Sequence, residues 1–389
     1  MPYHIQQNRG GGAEVQSWLL AKELARHGFE VSYIAQSVKG KEGRQERFHG
    51  VLVRWVRYAH HFRWSNGVEY YKALREENPD LVIQRTSSFV TGVVGLYCKM
   101  NKKKFVWICT DNDSPVKWMF LKKQINLNRQ KREHRLKRLV LLFNALIYDL
   151  SRHFGMNCIA YPFTQNEFQQ RALRDFFGID SFRMISGHKE PERILSPEHK
   201  LNNSIVLWVA NLGSNKQPEK FLELARLCKD TSLRFVMIGG RMDPKYIESL
   251  FKEKPDNLEW LGRRPFDETL EWFEKATFLV NTSRKEGFPN TYVQAWLRGI
   301  PVLSLGADPD GVIQKFKLGY VCNDVANLLQ TIYFLMKHEK EYIEMSKRII
   351  EYANLHHSIK TMTDNFLSIT YKQKHSICRN GRTCAVLEI

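Results

Sequence analysis

Short apolar runs of strand length alternate along this chain with longer segments in which apolar residues recur every three or four positions. Apolar runs of four to eight residues bounded by turn formers read as buried strands, and the 3.6-residue recurrence reads as one face of a helix. In the first half, residues 29–35, 51–56, 80–84, 105–109, 158–161 and 183–185 are predicted strands. The second half repeats the scheme at 205–210, 233–238, 258–261, 278–281, 301–304 and 320–321. Strands alternating with helices build parallel sheets, because a parallel pair needs a crossover long enough to hold a helix. The fold class read from this pattern is α/β, with two Rossmann-like domains.

Between the halves, residues 186–204 are polar, carry two prolines and show no sustained apolar period, which marks a connection. The expected boundaries are an N-terminal domain over 1–187, a linker over 188–203 and a C-terminal domain over 204–355. A helix over 356–371 is expected to pack back toward the N-terminal domain, followed by a disordered tail over 372–389. Open α/β sheets bind ligands beyond the carboxyl ends of their strands, so the two domains should face each other across a cleft that holds the chemistry. One feature does not suit a complete first domain. A helix begins near Gly12 with no apolar strand before it, whereas the first strand of a doubly wound sheet is normally central. The expectation is a missing first strand, in a chain that starts late.

At 389 residues the chain exceeds what one core usually supports, which agrees with two domains. No window approaches eighteen consecutive apolar residues, so no membrane span is expected. Residues 1–9 lack the apolar stretch of a secretory leader, and the seven cysteines are odd in number and scattered. That usage suits a reducing, cytoplasmic setting. Cys378 and Cys384 lie closest together, with no second pair at zinc-ligand spacing, so no metal is expected.

The net charge of +18 would suit nucleic acid, an anionic membrane or a phosphorylated substrate alike. Its distribution is more informative: residues 99–152 hold fourteen Lys and Arg against four Asp and Glu, a local net of +10. Over 117–152 the basic residues interleave with Trp118, Met119, Phe120 and Leu121, then with LKRLVLLFNALIYDL. A basic helix with such neighbours reads as a contact for an anionic membrane surface, or as a buried core helix whose charges are solvated. No helix-turn-helix, zinc-finger or RNP signature accompanies the charge, so nucleic acid is not an expected partner.

The stretch 281–304, NTSRKEGFPNTYVQAWLRGIPVLS, carries the most chemistry. A buried strand ends at Asn281, a loop with Gly and Pro follows, a helix opens near Asn290, and Gly299-Ile300-Pro301 ends it. This order points the free N–H groups of a helix start at the strand ends, where a diphosphate could be held. Glu286 could accept hydrogen bonds from sugar hydroxyls and Gln294 could face a ribose; alternatively, one is a solvated loop carboxylate and the other an ordinary helix-surface residue.

This segment resembles the hallmark of retaining GT-B glycosyltransferases of family 4, which carries a Glu, seven residues and a second Glu in an E-G-F-P context. Here stand Glu286, Gly287, Phe288, Pro289 and Ala295, then Gly299, Pro301 and Val302. Gln294 replaces the second Glu, and its amide can still bond ribose hydroxyls. Upstream, residues 206–212 with Lys216, Pro218 and Glu219 resemble the family's strand and loop that read G-R-L, three residues, K-G. Lys216 matches the lysine that clamps the donor phosphates. Asn211 stands where the family has an arginine, with Arg284 and Lys285 as nearby substitutes. FVMIGG, ending at Gly240, and LEWLGR, containing Leu261 and Gly262, are similar to the strand ends that line the nucleotide pocket, though alone they read as core strands.

Gly10-Gly11-Gly12-Ala13-Glu14 and the segment after it resemble the family's first loop and helix; alone, a glycine run is a flexible turn. Asp111 follows the strand at 105–109, where many members place a group that meets the transferred sugar; equally, Asp111 and Asp113 read as a helix cap and a turn former.

The resemblance implies a hexosyltransferase acting with retention, with Glu286, Lys216 and Asp111 as the catalytic set. Gly287, Phe288, Pro289, Asn290, Thr291, Gln294, Asn211, Leu261, Gly262 and Gly240 would bind the donor, and Gly11 and Gly12 a phosphate or the acceptor. The donor would be a UDP- or GDP-sugar, with no permanently bound cofactor. The acceptor would be a glycan or a lipid-linked molecule in envelope, capsule or other polysaccharide biosynthesis, on the cytoplasmic face of a membrane. Gln294, Asn211 and the absent strand also allow a non-catalytic nucleotide-sugar-binding relative, and a sugar-nucleotide epimerase shares a similar two-domain fold.

Overall fold

The computed structural model describes residues 11–36, 43–57, 66–130, 134–240, 243–371 and 383–387. These fall into two compact units, one of residues 11–185 with those from 363 onward, the other of residues 186–362.

The first unit holds α1 (Gly12–Arg26), β1 (Glu30–Gln36), β2 (Gln45–Phe48), β3 (Val51–Val56), α2 (Asn66–Glu77), β4 (Leu81–Arg85), α3 (Val90–Met100) and β5 (Lys104–Ile108). It continues through α4 (Met119–Gln130), α5 (Arg135–Met156), β6 (Tyr161–Thr164), α6 (Glu167–Phe177) and β7 (Phe182–Arg183). The second unit holds α7 (Pro197–Asn203), β8 (Ile205–Val209), α8 (Pro218–Leu227), β9 (Arg234–Ile238), α9 (Pro244–Phe251), β10 (Leu258–Trp260), α10 (Phe266–Lys275) and β11 (Phe278–Asn281). It continues through α11 (Asn290–Trp296), β12 (Val302–Ser304), α12 (Val312–Lys315), β13 (Gly319–Val321), α13 (Val325–Lys337) and α14 (Glu339–His357). After it come α15 (Ile359–Thr370), along which the chain passes back into the first unit, and β14 (Thr383–Leu387).

The second unit is a six-stranded parallel sheet in the order β10-β9-β8-β11-β12-β13. Its strands are apolar runs such as IVLWV and FLVN, buried on both faces as a sheet covered by helices on each side requires. Residues 197–203, expected within a linker, form α7 instead. Ser196 caps its start, Leu201 is buried, and the Lys200 ammonium is buried on the carbonyl of Arg298. Burial and the nearby Arg298 charge lower the Lys200 pKa to about 7.

The first unit is an eight-stranded sheet in the order β2-β3-β1-β14-β4-β5-β6-β7. Among the described strands only the β2–β3 pair is antiparallel, joined through His49 and Gly50 at φ 49° and 85°, the two positive values that a tight hairpin turn demands. β6 starts at Tyr161, where the sequence pattern placed a strand over 158–161, because the turn after α5 occupies those residues.

The first strand expected to be missing has a substitute. β14 lies between β1 and β4, parallel to both, with Val386 opposite Tyr33 on one side and Ile83 on the other. Residues 372–382 lie outside the described residues, but 383–387 are not a disordered tail. Cys384, Ala385, Val386 and Leu387 are each at most 1% exposed. Burying Val386 and Leu387 contributes about 1.5–3 kcal/mol each. TCAVL is a strand of five residues at the end of a polar stretch, too short to dominate a periodicity window yet apolar enough to fill the centre of a sheet.

Candidate active site

The groups singled out in the second unit gather at the carboxyl ends of β8, β9, β10 and β11. Gly239 follows β9 at φ 145°, and a Cβ there would lie 1.7 Å from the Ala210 carbonyl oxygen, so this close approach of two loops requires glycine. The Gly239 N–H donates to the Gly262 carbonyl at 2.8 Å, and the Leu212 N–H to the Gly240 carbonyl at 3.2 Å. Asn211, Gly240, Leu261 and Gly262 are thereby brought to one rim from three separate strands. Asn211 is exposed there.

Lys216 and Glu286 meet in an ion pair, with side chains 28% and 12% exposed. The two loops carrying them are pinned together. The Thr282 hydroxyl donates to the Lys216 carbonyl at 2.6 Å and accepts from the Trp208 indole at 2.9 Å. The Arg284 N–H donates to the Asn215 carbonyl at 2.8 Å, and the Asn215 amide to the Lys285 carbonyl at 2.9 Å. A half-buried ammonium and carboxylate held on fixed loops can bind a phosphate and a hydroxyl side by side.

Gly287 and Pro289 are buried in the loop that enters α11, and Asn290 and Thr291 begin that helix. Phe288 does not stand free: its ring stacks on His357 at 5.2 Å and meets Trp296 at 6.2 Å. Burial lowers the His357 pKa to about 4, so the ring is neutral at pH 7, and it bonds the Ser186 carbonyl at 2.9 Å. Gln294 is buried within α11 rather than lying on a helix surface, and its main-chain carbonyl accepts from the Arg298 guanidinium at 3.3 Å.

In the first unit, Gly11 is the N-cap of α1, and its N–H donates to the Glu14 carboxylate at 2.8 Å. Gly12 opens the helix. Asp111 is exposed, and its carboxylate accepts from the N–H groups of Asp113 at 2.9 Å and Ser114 at 2.8 Å, and from the Ser114 hydroxyl at 2.7 Å. These bonds spend the carboxylate on the turn. Arg85 was not among the predicted residues, yet it ends the buried strand LVIQR, at the carboxyl end of β4. The signal was a polar pair, Gln84 and Arg85, closing a strand that opens on the apolar run LVI. Among the described residues no cluster of His, Cys, Asp and Glu could hold a metal.

Residues 10–186 match the family model described as Glycosyltransferase Family 4, and residues 203–338 match that described as Glycosyl transferases group 1. An uncharacterised glycosyltransferase of Methanocaldococcus jannaschii is 34% identical over 89 residues, which are 22% of this chain and 25% of that protein. One of Haemophilus influenzae is 20% identical over 217 residues, 53% of this chain and 60% of that protein. The chain therefore spans less than two thirds of the length of either relative. Among solved structures, Anabaena HepE in complex with UDP and glucose superposes with a TM-score of 0.68 at 13% identity, covering 94% of this chain and 96% of that one. Two units with parallel sheets, each matched by a glycosyltransferase family model, give this chain the two-domain fold of GT-B glycosyltransferases.

Proposed function

We propose that this chain is a retaining glycosyltransferase whose second unit holds a UDP- or GDP-sugar, with UDP the first to test because HepE was solved with it. The observation that carries the reading is the Lys216–Glu286 pair at the rim of the second sheet. The Lys216 ammonium turns to the diphosphate and the Glu286 carboxylate accepts from sugar hydroxyls. The bond from the anomeric carbon to the diphosphate breaks with its electron pair on phosphate, where Lys216 offsets the charge. The acceptor oxygen then bonds to the anomeric carbon from the face the diphosphate leaves, and its proton passes to the departing phosphate oxygen. Gln294 supplies an amide for the ribose, and Asp111 acts by shaping its turn.

The test is a screen of UDP- and GDP-sugars for thermal stabilisation and turnover in the wild type, Lys216→Ala and Glu286→Ala. One sugar nucleotide should stabilise the wild type and be consumed, with both effects lost in the variants. Stabilisation by a nucleotide without sugar release would identify a non-catalytic relative. Conversion to another sugar nucleotide without acceptor would identify an epimerase.

A second observation bears on the acceptor. On α5, Leu136, Leu139, Val140, Phe143, Leu150 and Phe154 are exposed at helical spacing, Leu136 by 68% and Phe143 by 62%. Arg135, Lys137 and Arg138 flank them, and α4, packed on α5, adds Lys122, Lys123 and Arg129. Among the described residues no helix is long and apolar enough to cross a membrane. An apolar stripe beside cations supports docking on the cytoplasmic face of an anionic bilayer, with a lipid-linked or glycan acceptor of envelope or capsule biosynthesis. Vesicles containing phosphatidylglycerol should carry the protein on flotation, neutral vesicles should not, and Phe143→Glu should abolish the difference.

A further inference from the structure

The carboxyl end of β4 carries a polar arrangement that the donor site does not use. Arg85 shares a row of the sheet with Ile108 and Phe163, one step beyond the row of Tyr33, Val386, Ile83 and Val106. That face lies under α1, whose Trp18 meets Tyr33 edge-on at 5.5 Å, and under α15, whose Phe366 stacks on Phe163 at 5.7 Å. Arg85 is 3% exposed, and its Nε and Nη1 atoms are buried with no hydrogen-bond partner among the described residues. The hydroxyl of Ser87, two positions on, is also buried and unpartnered.

Thr86, between them, has φ 74°, a left-handed conformation unfavourable for a β-branched residue. It is held there from both sides, its N–H donating to the Ile108 carbonyl at 3.2 Å and its carbonyl accepting from the Trp107 indole at 2.8 Å. Strain of this kind persists where the surroundings enforce it and gathers at ligand sites.

Glu14, Tyr33 and Cys109 are the titratable groups close enough to act on Arg85 electrostatically, and burial outweighs them, lowering its pKa to about 10. The group is still a cation at pH 7. A buried, unpaired guanidinium is among the costliest features a folded protein can keep, and nothing in the packing of β4 requires it. The N-terminal turn of α1, a helix of fifteen residues, lies on the same face and favours negative charge.

We propose that Arg85 and Ser87, under the N-terminal turn of α1, form a binding site for a phosphate group carried by the acceptor. Two guanidinium donors and a hydroxyl suit a group with three terminal oxygens better than a planar carboxylate. Calling the phosphate bearer the acceptor rests on the transferase reading; the anion site does not.

The experiment titrates inorganic phosphate into the full chain with UDP saturating, following thermal stability and calorimetric binding. Phosphate should stabilise the wild type and Lys216→Ala alike, with affinity at least tenfold weaker in Arg85→Met and partly recovered in Arg85→Lys. Without phosphate, Arg85→Met should melt at or above the wild-type temperature, because it removes an unpaired buried charge. Competition by farnesyl phosphate would place the phosphate on a lipid carrier, and competition by glucose 1-phosphate on a soluble acceptor. Competition by neither overturns the proposal, as does an unchanged phosphate response in Arg85→Met or an Arg85→Met protein that fails to fold. Failure of every sugar nucleotide to bind would remove the transferase reading while leaving the phosphate titration, repeated without UDP, fully readable.

Discussion

The hydroxyl of Thr383 donates to the Asp80 carboxylate at 3.2 Å, and the Asp80 N–H donates to the Thr383 carbonyl at 2.9 Å, joining residues 303 apart in the chain. These bonds fix where β14 starts and so set the register in which its apolar residues face the core.

Removing residues 383–389 should therefore unfold the first unit rather than trim it. The expected result is rapid tryptic cleavage within 11–185, while sites within 186–362 resist. Val386→Asp, which puts a carboxylate at a fully buried position, should reproduce the effect in a full-length chain. A deletion that melts like the wild type would show that β14 is dispensable.

Acid should loosen the same tie. Burial raises the Asp80 pKa, but hydrogen bonds from Thr383 and the Lys103 ammonium outweigh it and hold the group below its ordinary value of 3.8. A carboxylate with a depressed folded pKa stabilises the fold above its unfolded value and loses that contribution as pH falls through the folded one. Melting temperatures measured from pH 5 downward should drop less steeply below pH 3.8 in Asp80→Asn than in the wild type.

His357 sets a different window. Its folded pKa, lowered to about 4 by burial, lies under the ordinary 6.5, so its contribution is complete above pH 6.5. As pH falls toward 4 the unfolded chain takes up a proton that the folded chain refuses, at a cost of about 3 kcal/mol. His357→Asn, which keeps a donor for the Ser186 carbonyl and cannot titrate, should flatten the stability of the second unit across that range. An equal loss of stability between pH 6.5 and 4.5 in the wild type and His357→Asn, read from denaturant titrations, would contradict the assignment.

Gly239→Ala should be poorly tolerated, because the added methyl meets the Ala210 carbonyl in a backbone conformation that only glycine adopts readily. A loss of at least about 3 kcal/mol is expected in chemical denaturation. Gly262→Ala, at φ 67° with open space around the added carbon, should cost only about 1–2 kcal/mol.

Much of the fold was legible because parallel strands buried on both faces are near-continuous apolar runs, as IVLWV and FLVN are. β2 escaped because QERF is an edge strand with its residues half in solvent, where no apolar pattern is imposed. β14 escaped because its partners lie some 300 residues away and nothing local announces them. At the candidate site, sequence indicated the pieces and the Lys216–Glu286 distance in the chain, 70 residues, concealed only their contact. Asp111 showed its turn-forming side once its bonds were visible. Arg85 was passed over because an arginine at a strand end ordinarily reaches solvent, and only the packing of α1 and α15 shows that this one does not.

The position of β14 also orders events during synthesis. Its residues leave the ribosome about two hundred positions after β7, a delay of roughly 10–40 s at ordinary elongation rates. The second unit can complete its sheet while the first is still waiting for the strand that belongs at its centre. An interrupted translation product would thus carry a finished second unit and a first unit whose sheet is split at its centre, so the first unit becomes whole only in chains translated through β14.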